Sequence, residues 1–128
     1  MNSAWLAEQG HEVHMFELAP AAVEYAINNQ TETAKFIAEE ADARNINRAN
    51  ESADVVLIMG PLYHLIDRED RMKVLREAYR VLKKGGILVA VAITKYCNAI
   101  WSIDTIHQIK NDTSVMGMSP HFMVIGKK

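Results

Sequence analysis

Two apolar runs constrain this chain more than any other feature of its sequence. Ala53-Asp54-Val55-Val56-Leu57-Ile58-Met59 is β-branched and apolar and stops at Gly60-Pro61, and Ile87-Leu88-Val89-Ala90-Val91-Ala92-Ile93 is a second continuous run. Neither shows the polar-apolar alternation of a half-solvated strand, so both predict strands buried on both faces, inside a parallel sheet. Between them Met72, Leu75, Ala78, Tyr79 and Leu82 recur at three- and four-residue intervals, which predicts a helix over 68–82 with one apolar face. Asp67 is expected to cap that helix, with Asp70 as a weak capping-box partner, which sets two carboxylates at the positive end of the dipole. Lys83-Lys84-Gly85-Gly86 supplies cations and a glycine stop at the other end.

The flanking segments extend the pattern. Trp5, Leu6 and Ala7 precede Gly10 as the last turn of a helix precedes its stop, and His11 to Leu18 reads as a short strand. Pro20 opens a helix through Ile27, with Val23 and Ile27 on one face. Residues 31–44 are ambiguous: Ala, Glu and Lys favour a helix, whereas Phe36-Ile37-Ala38 suits a strand equally well. Ile100, Trp101, Ile103, Ile106 and Ile109 suggest an amphipathic helix, and His121 to Ile125, after Ser119-Pro120, reads as a terminal strand. Strands alternating with helices predict an α/β layered domain, in which ligands sit at the carboxyl ends of the strands.

Composition removes several function classes. Fourteen Lys plus Arg against sixteen Asp plus Glu give a net charge of -2, with no basic block longer than two residues, so nucleic acid is not an expected partner. Cys97 is the one cysteine and cannot form an internal disulfide, and no secretory leader precedes the first helix, which predicts a reduced, cytoplasmic setting. No apolar run approaches the ~20 residues that span a bilayer, so no membrane partner is expected. Nothing ties Cys97 to a base, so it reads as a filler or surface thiol.

The residues just after the strands carry the chemistry. Glu17 can accept hydrogen bonds from two vicinal ribose hydroxyls through its two oxygens, at roughly 1.5–3 kcal/mol per charge-assisted bond; a solvated acid at a strand end is an equal reading. Asp42 can accept from an adenine amine, although a lone loop Asp is more often a turn former. Gly60-Pro61 lets backbone approach a ligand, and Tyr63 and His64 set a hydroxyl and a titratable ring beside that turn; an ordinary Gly-Pro turn carries equal weight. His11 and His14, three apart on a strand, point to opposite faces and do not form a metal pair. Tyr79 and Lys83 match a Tyr-x-x-x-Lys dehydrogenase pair, but the serine and the Gly-x-Gly-x-x-Gly fingerprint that chemistry needs are absent, so Tyr79 reads as core and Lys83 as a helix-end cation.

Four stretches together resemble a class I S-adenosylmethionine-dependent methyltransferase: Gly10 to Glu17, Glu40-Ala41-Asp42-Ala43, Ala53 to Leu65, and Leu75 to Gly86. The likeness covers residues 4–96 and points to a small bacterial branch carrying Gly-Pro-x-Tyr-His-Leu, here Gly60 to Leu65, with 116–121 as the end of the same branch. The resemblance implies S-adenosylmethionine as cofactor, bound by Glu17 and Leu18 at the ribose, Asp42 and Ala43 at the adenine, and Met59 and Gly60 beside the methionyl part. It also implies that Tyr63 and His64 are catalytic and face a small-molecule methyl acceptor, and it makes Phe36 to Glu40 a strand.

Two departures accompany the likeness. The family begins with a strand and a glycine-rich loop, whereas this sequence begins at the helix that follows them, as if truncated before or within that loop. Residues 97–112 are too few for the family's long helix and sixth strand. The expected fold is therefore a Rossmann-like methyltransferase sheet lacking its first strand and its sixth, with 1–128 a single, partial domain. Because the first strand is central in the family's sheet, its absence predicts two unpaired edges. An enzyme that methylates a small molecule is the leading expectation. The alternative is a non-catalytic remnant or assembly subunit that has lost autonomous cofactor binding, or a homo-oligomer that completes the sheet with another copy. A nucleotide-dependent oxidoreductase is a distant third.

Overall fold

The structure is a computed structural model and describes residues 2–93 and 121–128. The elements run α1 (Asn2–Glu8), β1 (His14–Glu17), α2 (Pro20–Asn28), β2 (Ile37–Glu40), β3 (Ala53–Met59), α3 (Pro61–His64), α4 (Arg68–Val81), β4 (Leu82–Ile93) and β5 (His121–Lys127). They divide into two compact units, 1–48 and 49–128. The amphipathic stretch around Ile106, Cys97 and the strand-end Thr94 lie outside the described residues.

In the first unit α1 ends as its sequence predicts, with the Gly10 and His11 amides donating to Ala7 O and Leu6 O at 2.9 and 3.3 Å. β1 is shorter than the expected run: His11 and Glu12 precede it, so the argument that two histidines lie on opposite faces of one strand does not describe this chain. β2 is a strand, parallel to β1, with Glu17 opposite Glu40. Tertiary pairing overrides the helical propensity of its Ala and Glu residues. α2 buries Val23 and Ala26. The chain between α2 and β2 is closed by Gln30, whose amide donates to Phe36 O at 2.8 Å and accepts from Phe36 N at 3.3 Å, so that one side chain satisfies both backbone groups.

The second unit is a mixed three-stranded sheet of order β3-β4-β5, with β4 parallel to β3 and antiparallel to β5. Ile58, Val74, Ala78, Val81, Leu82 and Ala90 form its core. Five expectations are corrected here. β3 is an edge strand, not an interior one: it pairs only with β4 among the described residues, and Val55, Leu57 and Met59 are 52%, 38% and 43% exposed. Its apolar alternate face, which continues across the register onto Ile87, therefore remains open to solvent.

The glycine stop after α4 is not one, because Leu82 already has extended backbone and β4 begins there. The last helical carbonyls are met by tertiary amides, with Glu51 N on Arg80 O at 2.9 Å and Ser52 N on Val81 O at 2.8 Å. Lys83 is accordingly a strand residue, bound to Asp54 at 2.9 Å, not a helix-end cation. Tyr79 is 60% exposed rather than core, and its ring lies 4.3 Å below Lys128 Nζ, which also donates to Tyr79 O and Leu82 O. Finally, Asp67 sits at the N-cap without a side-chain capping bond, and Asp70 pairs with Lys73 at 2.8 Å.

Gly86 shows what holds β3 against β4. A Cβ there would lie 2.8 Å from Asp54 O and 2.7 Å from Leu82 Cδ1, so the backbones approach where no side chain fits.

Candidate functional site

The predicted site residues fall into two groups, one in each unit. In the first, Glu17 is the last residue of β1 and half-buried, and its Oε1 accepts from Ala19 N at 3.1 Å. This bond fixes the carboxylate against the turn into α2 through one of its two oxygens. Leu18 follows and is exposed. The ladder continues past the strand ends, with Ala41 N donating to Glu17 O at 3.0 Å, and so brings Asp42 and Ala43 to the carboxyl end of β1. The register of two parallel strands therefore places Glu17 and Asp42 on neighbouring backbone, as ligand contacts at one end of a sheet require.

Asp42 does form a turn, as expected of a lone loop Asp, and it pairs with Arg44 as well. Its backbone bridges Asn45, and its Oδ1 accepts from Arg44 N at 2.8 Å and Arg44 Nε at 3.0 Å, while Oδ2 accepts from Arg44 Nε at 3.0 Å and Nη2 at 2.6 Å. The loop is tied back to β1 by Arg48, which approaches His14 Nδ1 at 3.4 Å, while His14 Nε2 lies 3.2 Å from Glu12. The Nδ1 contact with an arginine donor implies the tautomer with its proton on Nε2.

In the second unit Met59 ends β3, 43% exposed, and Gly60 turns the chain with φ 139° and ψ −58°. An added Cβ would meet only Tyr63 Oη at 3.9 Å and His64 Cδ2 at 3.7 Å, so space does not forbid a side chain; the backbone conformation does. The Gly60 carbonyl accepts from Tyr63 N and His64 N at 3.0 and 3.2 Å, which winds Pro61–His64 into one helical turn. That turn sets the two rings 4.7 Å apart at 52°, both reaching back over Gly60. Arg71 of α4 holds the next residues by donating to Leu65 O and Ile66 O at 2.8 and 2.5 Å.

Sequence reasoning missed Arg44, Arg48 and Arg71. The Asp-x-Arg spacing within a turn is a local signal for the first. Arg48 meets its partner 34 positions away and leaves no local trace.

Comparison with known proteins adds to this geometry. A family model described as a methyltransferase domain matches residues 1–90. No curated protein matches the chain. Among solved structures, a SAM-dependent methyltransferase from Methanosarcina mazei is 20% identical with a TM-score of 0.65, over 87% of this chain and 54% of that one. A protein that converts a disulfide bond into a thioacetal group during echinomycin biosynthesis is 20% identical with a TM-score of 0.69, over 77% of this chain and 41% of that one. The (4+2)-cyclase SpnF is 20% identical with a TM-score of 0.57, over 70% of this chain and 33% of that one. The chain thus spans about half the length, or less, of these structures. At such identities the likeness establishes a shared Rossmann-like α/β fold, and a cyclase among the neighbours shows that this fold hosts more than one chemistry.

Proposed function

Since the chain belongs to the methyltransferase-domain family, as a class I S-adenosylmethionine-dependent member, we propose that it binds S-adenosylmethionine and takes part in methyl transfer to a small-molecule acceptor. The observation that carries this reading is Glu17: a half-buried carboxylate at a strand end with Oε1 anchored by Ala19 N. This arrangement suits a ribose diol, because an anchored carboxylate loses little freedom when two hydroxyls donate to it. In the second unit, taken by itself, the Gly60 turn leaves backbone without a side chain at the end of β3, which suits close approach by a ligand.

Bound S-adenosylmethionine supplies a sulfonium methyl group open to in-line attack by an acceptor nucleophile. In the proposed arrangement Glu17 and Leu18 hold the ribose, Asp42 and Ala43 the adenine, and Met59 and Gly60 flank the methionyl part. Tyr63 and His64 face the acceptor, which His64 orients or relieves of a proton. The net charge of -2 favours a small molecule over a polyanion.

Titration calorimetry tests the reading. The 128-residue chain should bind S-adenosylmethionine with a micromolar constant, and Glu17→Ala should weaken binding about tenfold or more through loss of an ionised acceptor. No binding at millimolar cofactor would reject autonomous cofactor use. Unchanged affinity in the variant would reject the ribose assignment alone. One observation favours a second reading, an assembly subunit or remnant: β1 and β3 each have a single strand neighbour among the described residues. A strand contributed by another copy would make the chain dimeric by mass, and a monomer that binds cofactor would remove that reading.

A further inference from the structure

Pro61–His64 is a single helical turn, and a helix of that length does not hold itself in water. None of its four residues is buried, and Gly60 at its N-terminal end offers no side-chain cap. His64 nevertheless takes a defined place, with Cδ2 3.7 Å from where a Cβ on Gly60 would stand. The C-terminal end of the turn meets a different kind of support. Leu65 N donates to Pro61 O at 3.0 Å and closes the turn, and one atom of Arg71, Nη1, donates to the next two carbonyls, Leu65 O at 2.8 Å and Ile66 O at 2.5 Å. Ile66 is 92% exposed, so burial does not hold this connection either. Arg71 itself stands half-buried in the first turn of α4, a helix anchored in the core by Val74, Ala78 and Val81.

We propose that Arg71 is a positioning residue for His64: it carries the rigidity of α4 through the Leu65 and Ile66 carbonyls to the end of α3 and so fixes where the imidazole stands beside Gly60. The inference rests on the reading of His64 as the residue that orients the acceptor or takes its proton, and it adds what keeps that ring in place. Arg71 acts through backbone, on the two residues that follow His64. What it protects is orientation, since a displacement of about 1 Å at a reacting group can cost about a hundredfold in rate.

Solution NMR on the 128-residue chain tests it, with the through-space contact between the His64 Cδ2 proton and the Gly60 α-protons as the readout. Arg71→Met keeps an unbranched stem and the helix propensity of arginine while removing every side-chain donor. In that variant the contact should be lost and exchange of the Leu65 amide should quicken about fivefold, while the amides of Val74 and Ala78 keep their protection. Arg71→Lys, which retains a cation but not the planar fork, should weaken the contact to a smaller extent, and it carries the test if the methionine variant fails to fold. A contact of parental strength in every variant that folds, or one lost together with protection throughout α4, would overturn the positioning role and leave the cofactor reading intact. Calorimetry with S-adenosylhomocysteine checks that reading separately. Equal binding by the parent chain and both variants would support an effect confined to His64, and absence of binding by the parent chain would overturn the cofactor reading, and the acceptor role of His64 with it, whatever the contact shows.

Discussion

The two units solve the same problem, two parallel strands joined through a helix, with different materials. In 49–128 a seven-residue strand pairs with a twelve-residue one over a core of Ile58, Val74, Ala78, Val81, Leu82 and Ala90. In 1–48 both strands are four residues long, and the buried residues are Val23, Ala26, Ala34 and Phe36, two of them alanines. What the smaller unit lacks in apolar area it replaces with side chains that act as backbone: Gln30 on Phe36, Asp42 on Arg44 N, Glu17 on Ala19 N. Burial scales with area at ~25 cal/mol per Å², whereas a single hydrogen bond nets only ~1 kcal/mol. The proposed ribose and adenine contacts thus sit in the unit held by the weaker kind of interaction.

If that contrast is right, the largest single-residue effect should come from spoiling backbone approach in 49–128. Gly86→Ala places a methyl group within 2.9 Å of Leu82 and Asp54 atoms, two of which belong to the most fully buried side chain of the core. Overpacking of this kind costs about 1–3 kcal/mol. The urea midpoint should fall accordingly, and an unchanged midpoint would mean that β3 and β4 can separate without loss, against the packing account of this unit.

Gln30→Ala examines the other half of the contrast and should cost about 1 kcal/mol, since Phe36 N and Phe36 O lose their partner while water replaces it in part. Hydrogen exchange at the Phe36 amide should quicken together with its β2 neighbours. Faster exchange confined to Phe36 would show that the Gln30 clip is local and that β2 is held by its ladder to β1 alone.

The same contrast governs what could be read from sequence. β3 was legible to the residue, because a seven-residue run with six apolar positions, ending in Gly-Pro, admits few alternatives. β2 was not: its Ala and Glu residues prefer helix, and only the resemblance to a known family identified a strand that pairing with β1 then stabilises. In α4 the periodicity was sound but its phase was ambiguous. The stripe through Met72, Leu75, Ala78, Tyr79 and the buried stripe Val74, Ala78, Val81 share Ala78, and the choice between them is made by β4, which no local pattern contains. Of the candidate site, what was legible is the placing of Glu17, Asp42, Gly60, Tyr63 and His64 at or just after strand ends. Among the partners, Arg44 left only the local Asp-x-Arg spacing as a signal, and Arg48 reaches across 34 positions to His14 and left none.

The smallest expected effect concerns the outer surface of α4, where neither burial nor backbone substitution operates. Arg76 Nη1 lies 2.7 Å from Glu69 Oε1, and this hydrogen bond, followed by the charge of Arg76 and then those of Lys73 and Arg68, holds the Glu69 carboxyl below its ordinary 4.5, against an opposing effect of desolvation. A depressed folded-state value means that the unfolded chain takes up the proton first as pH falls. The stabilisation is therefore complete above pH 4.5 and disappears as pH falls through the lower folded value. Both side chains are more than half exposed, so screening keeps the effect small and salt-sensitive. Glu69→Gln should consequently match the parent chain more closely at pH 3 than at pH 7, and the gap at pH 7 should close in about 1 M salt, where the Debye length is ~3 Å. A variant whose stability runs parallel to that of the parent from pH 7 to pH 3 would show that this pair contributes nothing, and that the second unit depends on its core and backbone packing alone.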